Sequence, residues 1–224
     1  RLFGSLVEVD REVEGLYYDL QVPLWAFPRM EEMKLPTYPV EKVLNDAINL
    51  VDLRRVPSRA FSDSVHQARL YLKKALYEDL AGSNEAIATC IGHTHIDVAW
   101  LWTVAQTREK TARSFSTVLK LMEEYPQYKF MSSQPQLYVF LKERYPEVYA
   151  QLKRRVEEGR WEPEGGMWLE ADCNLTSGES LVRQFLYGKR FFQEEFGVDS
   201  KILWLPDVFG YSGALPQIMK KAGH

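Results

Sequence analysis

Four segments in which a strand pattern is followed by a helix pattern constrain the fold more than any other feature of this sequence. Short apolar runs typical of strands occur in AIATCIG, YKFMSSQ, RWEPEGGMWLE and KILWL. Helical periodicity follows each of them, at about 99–124, at 135–158, after Thr176, and in ALPQIMKKA. Consecutive β-α units place their strands side by side in one direction. We therefore predict an α/β fold, with a parallel sheet of repeated β-α units that forms an incomplete, barrel-like core.

Local signals predict where several of these helices begin and end. Pro146 interrupts the helical pattern at 135–158, and Gly159 closes it. Thr176 and Glu179 have the spacing of a capping box. The helix that follows them ends at Gly197, and its inward face is predicted to carry Leu181, Phe185, Phe192 and Phe196.

The first 85 residues have a different character and are predicted to form a mostly helical lead-in region. Residues 1–38 mix apolar and charged residues with three prolines and show no clean period. From Val43 onward, one helical face carries Leu44, Ala47, Ile48 and Val51. A second helix is predicted at about 59–81, ending at Gly82. We therefore divide the chain into a lead-in region, residues 1–85, and an α/β region, residues 86–224.

Composition excludes several classes of function. The net charge of −3 gives no electrostatic basis for binding nucleic acid or an anionic membrane. No apolar run approaches the roughly 20 residues of a membrane span, and no signal peptide opens the chain. The two cysteines, Cys90 and Cys173, do not make a disulfide framework, so a cytoplasmic location is expected. The first residue is Arg1 and the last residues are MKKAGH, so we expect a fragment, whose oligomeric state the sequence does not indicate.

Ligand-type residues follow the predicted strands, at the edge of the sheet where α/β proteins place their sites. These residues are His95, Asp97, Ser132, Gln134, Glu170, Asp172 and Asp207. Residues two apart on a strand point to the same side, so His95 and Asp97 could share one ion. An imidazole with carboxylates suits Zn²⁺, or another divalent metal such as Co²⁺. Ordinary hydrogen bonds that cap the strand are the alternative.

Other residues at this edge have more than one reading. His93 is a metal ligand, an outer partner of the site, or a buried structural histidine. Asp207 lies in the constrained turn LPDVFGYSG, where it is either a stiffly held functional carboxylate or a helix N-cap. Trp100 and Phe209 follow the two carboxylates and suit the apolar faces of a sugar ring, although core packing is the commoner fate of such side chains.

Three motifs together resemble a known enzyme family. GHTHIDVAWLW, GGMWLEADCNLTSGESLVRQF and WLPDVFGYSGALPQIM are similar to the catalytic core of the class II α-mannosidases, glycoside hydrolase family 38. The resemblance runs from about residue 88 to the end. Tyr211, where Golgi and lysosomal members have a histidine, places it nearer the cytosolic and bacterial branch.

The resemblance implies a zinc-dependent, retaining exo-glycosidase that acts on α-mannosides of oligosaccharides. By matching motifs, His95 and Asp97 correspond to metal ligands, and Asp207 to the ligand that also attacks the anomeric carbon. Trp100 and Phe209 match aromatic residues of the terminal mannose pocket. The family's fourth metal ligand and its acid/base aspartate have no counterpart in residues 1–224, so we expect these residues alone to be inactive.

Two other classes of protein remain as alternatives. A metal-dependent amidohydrolase also places H-x-H after its first barrel strand and uses a metal-bound water as nucleophile. That fold requires further histidines on later strands, and His224 is the only one that follows His95. A non-enzymatic sugar-binding domain would use Trp100 and Phe209 but would leave the grouping of His95, Asp97 and Asp207 unexplained.

Overall fold

The computed structural model describes residue 4, residues 7–80 and residues 88–224. The chain folds as two compact units, Arg1–Ala88 and Thr89–His224. Within the described residues, no helix is both long enough and apolar enough to cross a membrane.

The first unit is helical, as the sequence predicts. Its helices are α1 (Arg11–Glu32), α2 (Tyr38–Ile48) and α3 (Arg59–Leu72), and a π-helical segment, Lys73–Leu80, continues α3. The predicted end of that last helix, at residues 81 and 82, lies outside the described residues. Leu44 and Ala47 of α2 are buried, whereas Ile48, on the same predicted face but in the last turn of the helix, is 44% exposed.

Helix α1 occupies a stretch in which the sequence shows no clean period. The Asp10 carboxylate accepts hydrogen bonds from the backbone N–H groups of the first turn, and this N-cap starts the helix. Its inner face does have helical spacing, with Val13, Leu16, Leu20 and Phe27 against the core of the unit. Two internal prolines and several exposed apolar side chains on the outer face conceal that pattern from the sequence.

The second unit contains a three-stranded parallel sheet, which confirms the predicted α/β fold. Its strands are β1 (Gly92–His93), β2 (Phe130–Ser132) and β3 (Trp161–Pro163), in the order β1-β2-β3. Phe130 lies at the centre of the register, opposite Gly92 on one side and Trp161 on the other. Part of the first predicted strand, residues 86 and 87, lies outside the described residues.

The fourth predicted strand, KILWL, is wrong as a strand. Within this segment only Leu203 makes a β-type pair, a single parallel bridge to Gly165, which lies two residues after the end of β3. The reason lies in its partner, because Pro163 ends β3 and the two glycines after it both have positive φ angles. Because the backbone after β3 leaves the extended conformation at these glycines, it cannot form a continuous row of hydrogen bonds with KILWL.

Five helices accompany the sheet in the described part of this unit: α4 (Val104–Glu124), α5 (Pro135–Arg144), α6 (Pro146–Glu157), α7 (Gly178–Phe196) and α8 (Leu215–Ala222). Pro146 and Gly159 separate and close α5 and α6 as predicted, and Gly197 ends α7 in the left-handed region. Two predicted starts are wrong. Helix α4 begins five residues later than expected because Thr103 and Gln106 form the capping box, and Ser177, not Thr176, caps α7.

A buried aromatic cluster joins the strands to these helices. The ring of Trp161 on β3 lies 4.9 Å from that of Phe115 and 4.7 Å from that of Phe130. Its indole N–H donates to the Tyr138 hydroxyl at 2.9 Å, and this hydroxyl donates to the carbonyl of Ser132 at 2.9 Å. Because these polar atoms satisfy one another, large rings can be buried beneath the ends of β2 and β3 without unpaired groups.

Gly188 tests how tightly α7 packs on the segment that leads to the site. A Cβ at this position would lie 2.5 Å from the carbonyl oxygen of Gly166 and 2.7 Å from the nitrogen of Trp168, which are backbone atoms. We expect Gly188→Ala to lower the free energy of unfolding by about 1–3 kcal/mol, measured by urea denaturation. Gly178→Ala is the control, because a Cβ there meets nothing within 4 Å. Equal stability of the two variants would contradict the close packing.

A candidate active site at the carboxyl ends of the strands

The segment that follows β1 contributes both to the core and to the site. Ile96 is buried in the aromatic core cluster, with 2% of its surface exposed. His95 and Asp97, on either side of it, are only partly buried. Ile96 thus points into the core while the side chains on either side of it do not.

His95 lies between two carboxylates. Its Nε2 atom is 3.2 Å from Oδ1 of Asp97 and 3.6 Å from Oδ2 of Asp207, which comes from the other end of this unit. Zinc bonds of about 2.0–2.2 Å at tetrahedral angles place neighbouring donor atoms roughly 3.3–3.5 Å apart. The separations around Nε2 are therefore compatible with three ligands of one ion, and the three predicted ligand residues lie together.

These three residues form an open set rather than a closed coordination shell. Across residues 4, 7–80 and 88–224, no three His, Cys, Asp or Glu side chains are placed so that they could hold a metal ion as they stand. Cys173 does not contribute, because it is buried and its thiol donates to the carbonyl of Ala171. One imidazole nitrogen and two carboxylates are donors of the type that zinc accepts.

The other ring nitrogen of His95, Nδ1, contacts the carboxylate of Glu170. The Glu170 side chain is only 2% exposed, and Ser133 donates its hydroxyl proton to Oε1 of Glu170 at 2.6 Å. Burial raises the pKa of Glu170, although Ser133 and His95 act in the opposite direction. Partial burial alone would lower the pKa of His95, but the carboxylates of Glu170 and Asp97 outweigh it and raise this pKa.

Gln134 ties the two halves of this cluster together from the core side. Its amide Nε2 donates to the carbonyl of Ile96 at 2.9 Å, and its Oε1 accepts from the backbone N–H of Glu170 at 3.3 Å. The side chain is itself buried. Gln134 therefore fixes the backbone between His95 and Asp97 relative to the backbone of Glu170.

His93, the first histidine of the motif, has its own partner. Its Nε2 atom accepts a hydrogen bond from the indole N–H of Trp204 at 3.1 Å, and the two rings meet edge to face. Burial, with repulsion from His95, lowers the pKa of His93. Because the lone pair of Nε2 is engaged by Trp204, this geometry favours the reading of His93 as an outer partner of the site.

Asp207 projects from a loop that closes on itself. The Tyr211 hydroxyl donates to the carbonyl of Leu205 at 3.1 Å, which holds the ends of the turn together. Helix α8 begins later, with Ala214 in the N-cap position, so the alternative reading of Asp207 as a helix N-cap is wrong. The Asp207 side chain is 52% exposed and is accessible to a molecule that approaches from solvent.

The two aromatic residues predicted at this edge are both exposed. Phe209, two residues after Asp207, is 94% exposed, and Trp100, three residues after Asp97, is 67% exposed. Trp100 packs edge to face with Trp102, at 5.4 Å between ring centroids, and the Lys110 ammonium group lies over Trp102. Neither side chain is buried in the core, so core packing does not account for the presence of these two aromatic residues.

Some of the site was not assigned from the sequence. Glu170 and Gln134 are among the residues at the predicted strand ends, but their roles depend on contacts across the sheet. At the end of β2 the residue that reaches the cluster is Ser133, whereas the carbonyl of Ser132 binds Tyr138. Asp172 folds its own loop by accepting from the N–H groups of Asn174 and Leu175. Trp204 lies in the segment wrongly predicted as a fourth strand, and no sequence pattern indicates its hydrogen bond to His93.

A parallel sheet whose carboxyl edge gathers histidines and carboxylates is the arrangement of an α/β enzyme domain. Residues 86–224 match the family model of the glycosyl hydrolases family 38 N-terminal domain. Alpha-mannosidase G of Dictyostelium discoideum is 42% identical over 214 residues, which are 96% of this chain and 19% of that protein. Human alpha-mannosidase 2C1 is 38% identical over 220 residues, 98% of this chain and 20% of that protein.

A solved structure agrees with these sequence comparisons. The crystal structure of an alpha-mannosidase from Enterococcus faecalis V583 superposes with a TM-score of 0.53 at 29% identity, covering 59% of this chain and 15% of that chain. The chain therefore belongs to glycosyl hydrolase family 38. It spans about a fifth of the length of the curated relatives above. Family membership leaves the metal-dependent amidohydrolase without support.

Replacement of Gln134 tests whether it holds the site together. In Gln134→Leu the carbonyl of Ile96 loses its donor and the N–H of Glu170 loses its acceptor, both at a buried position. We expect the free energy of unfolding to fall by about 1–3 kcal/mol in urea denaturation, because unpaired buried groups are costly. Gln127→Leu is the control, since Gln127 is an exposed residue ahead of β2. A Gln134 variant as stable as this control would contradict the bridging role.

Proposed function

We propose that this chain forms the N-terminal part of the catalytic domain of a metal-dependent, retaining exo-α-mannosidase. The enzyme would hydrolyse terminal α-mannosides of oligosaccharides. The observation that carries the proposal is the convergence of Asp97 and the exposed Asp207 on one nitrogen of His95. The relatives supply the substrate class, because the proteins that share the fold and the motifs are named alpha-mannosidases.

Zn²⁺ is the proposed cofactor, with Co²⁺ as the alternative. His95 through Nε2, together with carboxylate oxygens of Asp97 and Asp207, would hold it. When bound, such an ion polarises and orients sugar hydroxyls and favours the ionised form of nearby carboxylates. A fourth ligand is expected from the part of the relatives' length that this chain does not span.

Asp207 is the proposed nucleophile. It is the most exposed member of the cluster, and the turn closed by Tyr211 holds it at the rim, where an anomeric carbon could approach. A retaining glycosidase needs a second carboxyl group about 5–5.5 Å from the first, acting as acid and then as base. A carboxylate kept ionised cannot be that proton donor, so we assign the donor to another residue, in the part of the relatives' length that this chain does not span.

Trp100 and Phe209 are the proposed binding surface for the terminal sugar. Each lies a few residues after a proposed ligand and presents an apolar face to solvent. Pyranose rings also have apolar faces, and large exposed aromatic side chains gain most from being covered by such a ligand. The two side chains would thus orient a mannose ring above the Asp207 carboxylate.

A cytoplasmic location and the absence of nucleic-acid or membrane partners stay predictions. They rest on the charge balance and on the cysteines, since Cys90 and Cys173 are both free thiols.

The metal site can be tested on these 224 residues by isothermal titration with Zn²⁺ and by the absorption spectrum of bound Co²⁺. We expect one ion per chain, and we expect Asp97→Asn to weaken binding by roughly tenfold or more because a charged donor is lost. Asp172→Asn is the matched control, because Asp172 folds its own loop. Binding that survives both His95→Ala and Asp97→Asn would place the ion elsewhere and refute the assignment.

The nucleophile is best tested in the full-length polypeptide that contains this chain. Asp207→Asn keeps the size of the side chain and a neutral oxygen, but an amide is a poor nucleophile, so kcat should fall by about 10³-fold or more. A fluorinated mannosyl donor, whose glycosyl-enzyme hydrolyses slowly, should label the peptide that contains LPDVFGYSG in the wild type. Label on Asp97, Glu170 or Asp172, or an inverted product without an adduct, would show that Asp207 is not the nucleophile.

A further inference from the structure

Glu170 is a buried carboxylate that the proposed chemistry does not use. Only 2% of its side chain is exposed, yet it lies beside the imidazole of His95 on the side away from Asp97 and Asp207. An unpaired carboxylate at such a position would be strongly destabilising, so its contacts have to account for it.

We propose that Glu170 is a positioning residue that holds His95 in one tautomer and one ring orientation. A carboxylate only accepts hydrogen bonds, and the His95 atom that it meets is Nδ1. Asp97 also contacts the ring, with its Oδ1 3.2 Å from Nε2, but Glu170 makes the closer contact at Nδ1. In the neutral ring Nδ1 therefore carries the proton, and the Nε2 lone pair points toward Asp97 and Asp207. This inference rests on the proposed function in one respect, because a metal ion is what that lone pair would serve.

The surroundings of Glu170 fix the carboxylate for this task. Ser133 donates to Oε1 at 2.6 Å, which leaves Oε2 as the oxygen that faces His95. The backbone N–H of Glu170 is bound by the buried amide of Gln134. Both the head group and the backbone of Glu170 are thus held by residues that follow β2.

His93 does not compete with His95 for this carboxylate. Its Nε2 atom lies 3.9 Å from Oε1 of Glu170, beyond hydrogen-bond distance, and already accepts the indole proton of Trp204. A neutral His93 therefore carries its proton on Nδ1 as well. His93 and His95 thus share a tautomer. Trp204 occupies the Nε2 lone pair of His93, whereas the Nε2 lone pair of His95 faces the carboxylates.

The test is the tautomer of His95, read from its ring ¹⁵N chemical shifts in the metal-free 224-residue chain at alkaline pH. Signals are assigned by comparison with His95→Asn. We expect the wild type to carry the proton on Nδ1. Glu170→Gln removes the charge but keeps the shape, so the Nδ1–H form should lose its dominance and Zn²⁺ affinity should fall about 10- to 100-fold. Ser133→Ala should cause a smaller loss of affinity, since the carboxylate remains but is less well oriented.

Glu162→Gln is the matched control, because Glu162 is an exposed carboxylate on β3, eight residues before Glu170. It should leave both the ring shifts and the Zn²⁺ affinity unchanged, and thermal unfolding checks that each variant is folded. Should Glu170→Gln keep both the tautomer and the affinity, the positioning role is refuted while the metal site stands. A wild-type chain with the proton on Nε2 also refutes it. A wild type that binds no Zn²⁺ overturns the proposed metal site, and the role of Glu170 is then decided by the tautomer alone.

Discussion

The burial of Ile96 is the constraint on which the candidate site depends. The side chain is anchored in the aromatic core, and its carbonyl is bound by the buried amide of Gln134. A rigid interior resists rotation or shift of this segment, because close packing leaves no space for an alternative arrangement. His95 and Asp97 are therefore presented to solvent by a residue that has no chemical role of its own.

A second layer of polar contacts supplies the hydrogen bonds that the buried polar groups beside the site require. Glu170, Ser133 and Gln134 bring a carboxylate, a hydroxyl and an amide into the interior, and each is paired with another group of the cluster or its backbone. Polar networks of this kind are costly when one member is missing and rigid when all are satisfied. The fixed second layer explains how His95 can lie among several carboxylates in a single orientation.

Several elements were predictable because their signals are local. The proline at 146 and the glycines at 159 and 197 act through their own backbone restrictions, whatever surrounds them. Other elements depended on partners. Helix α1 was concealed by its internal prolines, and packing of its inner face overrides the loss of their hydrogen bonds. KILWL has a strand-like composition but lacks a neighbour with which to pair, since Gly165 and Gly166 leave the extended region.

The sequence by itself determined the parallel α/β class, the family motifs, and the positions of His95 and Asp97 after the first strand and of Asp207 in its turn. These features follow from residue type and spacing along the chain. Only the tertiary structure decided that Asp207 meets Nε2 of His95, that Trp204 engages His93, and that Glu170 lies on Nδ1. Each of these contacts joins residues at least 75 positions apart. Their distances are set by how the strands and helices pack, and no local periodicity encodes that packing.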